Sequence, residues 1–107
     1  MRYMNDHDID RAAHRYGDHP ILGPAATTLA NLAAWTDRNS DGWAYWPKPA
    51  RAAARLMEMI ERDGTSRYAL DDDRADVTAA EYRKALAPIK AFRTRQGADF
   101  VIVEAPR

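Results

Sequence analysis

A chain of 107 residues without cysteine, carrying sixteen basic against sixteen acidic residues, has the length for one domain with one core. It is excluded from disulfides, thiolate metal sites and cysteine nucleophiles, and its zero net charge gives no global field toward nucleic acid or an anionic membrane. The longest uncharged stretch, residues 19–36, holds Pro20, Gly23 and Pro24 and falls short of a bilayer span. The start runs directly into Asp6, Asp8 and Asp10 instead of an apolar segment, so no secretory leader is read and a cytoplasmic protein is expected. Charge tilts slightly along the chain. Residues 1–47 hold 4 basic and 6 acidic groups, whereas residues 75–107 hold 6 and 4. No repeat or boundary interrupts the pattern, and residues 1–107 read as a single domain.

Ile9, Ala12, Ala13 and Tyr16 recur at i, i+3, i+4 and i+7 and predict a first helix over 6–16. Asn5 or Asp6 can cap its start, and Gly17 can take the left-handed position after its end. Gly23-Pro24 opens a second helix with Leu29, Leu32, Ala33 and Thr36 inward, ended by the turn formers Asn39-Ser40-Asp41-Gly42. The connector Trp43-Ala44-Tyr45-Trp46-Pro47-Lys48-Pro49 is expected to stay extended, with Pro49 as the first residue of a third helix reaching Asp63. That helix turns Ala53, Leu56, Met57 and Ile60 inward. Its outer face, Arg51, Arg55, Glu58 and Arg62, is expected to neutralise itself largely through i,i+3 and i,i+4 neighbours.

Residues 66–70 are a candidate short strand, followed by an acidic loop with Asp71, Asp72, Asp73 and Asp76. Thr78-Ala79-Ala80-Glu81 then spells a capping box, with Val77 and Tyr82 placed as a hydrophobic staple. The fourth helix, 78–95, turns Tyr82, Ala85, Leu86, Ile89 and Phe92 inward and is expected to kink at Pro88. Phe100-Val101-Ile102-Val103 reads as a strand apolar on both faces, pairing with 66–70 or with a second chain. The fold class is therefore mainly α: four amphipathic helices in a small bundle, with a short two-stranded β element near the C-terminus.

Several constellations resemble chemistry without completing it. Asp37-x-Asn39-x-Asp41-Gly42 matches half of a calcium loop, but the twelfth position is Lys48 where a bidentate Glu belongs. Helix capping and turn formation are the preferred reading. His7, His14 and His19 lie among Asp6, Asp8, Asp10 and Asp18, and Asp10, His14 and Asp18 are spaced by four. Surface residues on an acidic helix account for them better than a zinc site does. The acidic loop at 71–76 reads as solvated charge near a helix N-terminus. No phosphate loop, dinucleotide fingerprint or nucleophile elbow occurs, so no enzyme, cofactor or metal is expected.

Two surfaces remain. The fourth helix carries Arg83, Lys84, Lys90, Arg93 and Arg95 against Glu81 alone, a candidate nucleic-acid face. Its first turn nevertheless offers an acid and no base-reading side chain, and cations near a helix C-terminus also complement the dipole. The connector gathers Trp35, Trp43 and Trp46 with Tyr45 beside Pro47-Lys48-Pro49. Filling a junction of helices is the stronger reading for the rings, with Trp46 buried against Trp35. Trp43, Tyr45 and Lys48 are the candidate partner-binding residues.

The stretch 39–53, read with the chain's 13 Arg against 3 Lys and 21 Ala, resembles small uncharacterised proteins of bacteriophages infecting high-GC Gram-positive bacteria. The resemblance covers about a third of the chain and implies a phage or mobile-element product acting inside the host. It implies no fold, activity or site residue. Together these features lead to a non-enzymatic protein–protein interaction module, acting on a host protein and dimerising through 100–103, with no membrane partner. A small DNA-binding regulator using helix 78–95 is the alternative, and a metal-dependent enzyme built on the acidic loops stands behind both.

Overall fold

Each amphipathic pattern folds as a helix: α1 (Asp6–Arg15), α2 (Leu22–Asn39), α3 (Pro47–Gly64) and α4 (Ala79–Gln96). They belong to a computed structural model that describes residues 6–39, 46–64 and 78–105. α1 packs on α2, α2 on α3 and α3 on α4, so neighbours in sequence are neighbours in space. The inward stripes meet in one core. Ile9 and Ala12, Leu29 and Leu32, Leu56 and Ile60, and Leu86 and Ile89 are all buried.

The helix ends show what local chemistry settles. Gly17 does not adopt the left-handed conformation, because among the described residues only Gly97 has a positive φ, of 62°. Gly23 is the glycine that close approach demands: a Cβ there would lie 2.9 Å from the carbonyl oxygens of both Tyr16 and Gly17. Its absence lets the first turn of α2 press on the end of α1. His19 caps α2, its Nδ1 accepting from the Ile21 and Leu22 amides at 3.1 and 3.0 Å. It is thus a half-buried capping residue and not a surface histidine.

α3 begins at Pro47, two residues before the expected start, with the Ala50 amide bonded to the Trp46 carbonyl at 2.9 Å. Both prolines fall within the first turn, where amides have no intrahelical acceptor to lose. Thr78 accepts from the Glu81 amide at 3.1 Å and caps α4. Gly97 ends it in the left-handed conformation, and the Ala98 amide bonds back to Arg93 at 3.0 Å. α4 runs unbroken through Pro88, which lies on its exposed face. At one end of the bundle Trp35, Trp46 and Phe92 meet, with Trp35 and Trp46 centroids 5.3 Å apart and each 5.5 Å from Phe92. That cluster joins the end of α2, the start of α3 and the end of α4.

No strand occurs among the described residues, which corrects the expected two-stranded element. Residues 66–70 lie outside the described residues. Residues 98–105 form an irregular segment on α2 and α4, and side chains satisfy its backbone in place of a second strand. Asn31 Nδ2 donates to the Val101 carbonyl at 3.0 Å, and Arg93 donates to that of Phe100 at 3.4 Å. The Val103 amide donates to Thr28 Oγ1 at 2.9 Å, and its carbonyl accepts from the Tyr82 hydroxyl at 2.7 Å. Phe100 and Ile102 are buried, while Val101 is 62% exposed. The segment is therefore covered on one face, not on both as expected.

Candidate functional site

α3 places Lys48, Arg51 and Arg55 at i, i+3 and i+7, one edge of the helix. α4 places Pro88, Ala91 and Arg95 at the same spacing. The Trp46–Phe92 contact sets the start of α3 beside the end of α4, so the two edges face each other in antiparallel register. Between them runs an open groove of about 470 Å³, with the four cations on its walls and Ala52, Pro88 and Ala91 on its floor. Long cationic side chains on small apolar residues leave a positive rim over a shallow greasy bed.

Among the described residues none of the four cations makes an ion pair. Of the two neighbour pairs expected to neutralise the outer face of α3, Arg55 and Glu58 form no ion pair, and the other involves the Arg62 side chain, which lies outside the described residues. A cluster of unpaired like charges raises the local potential and concentrates anions despite zero net charge. Arginine adds a planar fork of donors matched to a carboxylate.

The five basic residues of α4 do not form one face. Lys84 and Arg95 share the edge toward α3, in line with Pro88 and Ala91. Arg83, Lys90 and Arg93 run along the other edge, where Lys90 pairs with Glu104 and Arg93 bonds the Phe100 carbonyl. Two of the candidate nucleic-acid contacts are thereby committed to holding the C-terminal segment. Of the candidate partner residues, Lys48 lies in the groove, while Trp43 and Tyr45 lie outside the described residues. So do Asp41, Gly42 and the acidic loop at 71–76, and of His7, within α1, only the backbone is described.

No protein-family model, curated protein or solved structure matches this chain. A second, smaller groove of about 210 Å³ lies between α1 and α2, lined by Ile9, Asp10, Ala30, Ala33, Ala34 and Asp37. Among the described residues no three metal-capable side chains gather, and Asp10, His14 and Asp18 are exposed. None of the described helices is long and apolar enough to cross a membrane. Among the described residues the one strongly shifted titration belongs to Tyr82, pushed up to about 12 by burial; the Thr28 hydrogen bond opposes that shift and Glu104 adds to it.

Spacing alone could have found the Lys48, Arg51 and Arg55 row. Pairing that row with Arg95 across a floor of alanine and proline required the antiparallel packing.

Proposed function

We propose that this chain is a non-enzymatic interaction module that takes an acidic segment of a partner protein into the groove between α3 and α4. The carrying observation is four cations, Lys48, Arg51, Arg55 and Arg95, that make no ion pair among the described residues and surround an apolar floor. A partner that brings carboxylates gains charge-assisted hydrogen bonds at each arginine while covering Ala52, Pro88 and Ala91. The same features weigh against nucleic acid. Single strands are held by stacking on aromatic rings, and among the described residues no ring lines this groove. A duplex contact along α4 would have to draw Lys90 and Arg93 away from the C-terminal segment they hold. The phage resemblance of residues 39–53 supports a host protein as that partner.

Fluorescence anisotropy with a labelled polyglutamate peptide at low salt tests this reading. Binding is expected to weaken at least tenfold in the R51E/R55E variant and to fall steeply as salt rises. Equal binding by wild type and variant would overturn it. A single-stranded oligonucleotide that binds more tightly than the peptide, and through the same arginines, would replace the protein partner with nucleic acid.

A further inference from the structure

We infer that the partner segment is an amphipathic helix bearing carboxylates at i, i+3 and i+7 beside a stripe of small apolar residues. This rests on the acidic-partner reading above and names the conformation that reading leaves open. The reason lies in what the groove can and cannot satisfy. Among the described residues, every side chain lining it is either a cation, which only donates, or alanine or proline, which does neither. A peptide laid there as an extended strand would bring backbone amides with no side chain to accept from them. A helix satisfies its own backbone and presents only side chains.

The same molecule supplies the contrast. Where this chain does hold an irregular, non-helical segment, at 98–105, the binding side chains bond its backbone: Asn31, Tyr82 and Arg93 donate to carbonyls, and Thr28 accepts from an amide. Among the described residues the α3–α4 groove has no counterpart to Thr28, Asn31 or Tyr82. Its dimensions also suit a helix. Lys48, Arg51 and Arg55 are separated along the axis by about 4.5 and 6 Å, the steps at which a helix lying alongside repeats residues at i, i+3 and i+7. Same-side residues of a strand recur about every 6.7 Å and miss the first interval. The small floor residues Ala52 and Ala91 let a third helix approach closely, and the groove accommodates about two of its turns.

The test compares three labelled probe peptides on the full chain, the first two of identical composition in Glu, Ala and Leu. One has Glu at i, i+3 and i+7 in a helical pattern. A second permutes the same residues so that Glu alternates. A third is the helical peptide with two central alanines replaced by proline. The helical probe is expected to bind at least tenfold more tightly than either other, to gain helical circular dichroism on mixing, and to lose affinity in both R51E/R55E and R51Q/R55Q. Equal affinity for all three peptides, or tight binding without a gain of helix, would overturn the inference and leave the acidic-partner reading standing. Failure of all three to bind would overturn both. The Gln variant guards against a folding defect from charge reversal, and far-UV circular dichroism of each free variant checks it.

Discussion

Tyr82 combines full burial with two hydrogen bonds, 2.7 Å to the Val103 carbonyl and 2.8 Å to the Thr28 hydroxyl. Its spacing in α4 marks it as core, but nothing local announces the hydroxyl's role, because Thr28 and Val103 lie far away in sequence. Tyr82→Phe strands the Val103 carbonyl and removes a partner from Thr28, with an expected cost of about 1–3 kcal/mol in urea unfolding at pH 7. Burial raises the phenol to about 12, against about 10 in the unfolded chain. The folded state therefore holds the proton more tightly. That contribution is complete below pH 10 and is lost as pH climbs from 10 to 12. Unfolding measured across this window is expected to show a steeper loss for wild type than for Tyr82→Phe; parallel curves would refute the assignment.

At the scale of elements, four helices and most of their inward residues follow from periodicity, since a 3.6-residue repeat leaves one stripe to bury. Caps were legible where side chain and backbone are sequence neighbours, as at Thr78 and Glu81. The caps at Gly97 and His19 carry no such local signal, and α3 starts at Pro47 and not at the expected Pro49, because two prolines look like a barrier until both fall in the first turn. The C-terminal segment was misread for a different reason. Phe100-Val101-Ile102-Val103 has the composition of a buried strand, but its hydrogen bonds go to Thr28, Asn31, Tyr82 and Arg93. Phe100→Ala is expected to cost about 3–5 kcal/mol, whereas Val101→Ala should stay within about 0.5 kcal/mol. Comparable losses at both positions, in chemical unfolding, would restore cover on both faces.

For the molecule as a whole, the groove is a charge concentration that folding does not use. Lys48, Arg51, Arg55 and Arg95 repel one another without an ion pair among the described residues. R51Q/R55Q is therefore expected to leave the unfolding free energy unchanged or raise it slightly, by about a few tenths of a kcal/mol, most visibly as a higher melting temperature at low salt. A fall in stability would mean that these arginines support the fold. Such a trade, repulsion tolerated at a surface that binds, is the ordinary cost of function.

By itself the sequence determined the helical class, the inward stripes and the lack of a thiol-based site, because these depend on residue identity and near-neighbour spacing. Only tertiary structure decided that α3 and α4 run antiparallel with their cationic edges facing, and that the last segment docks on side chains instead of a strand. Those outcomes depend on groups tens of residues apart, and no local period encodes which distant donor a carbonyl meets.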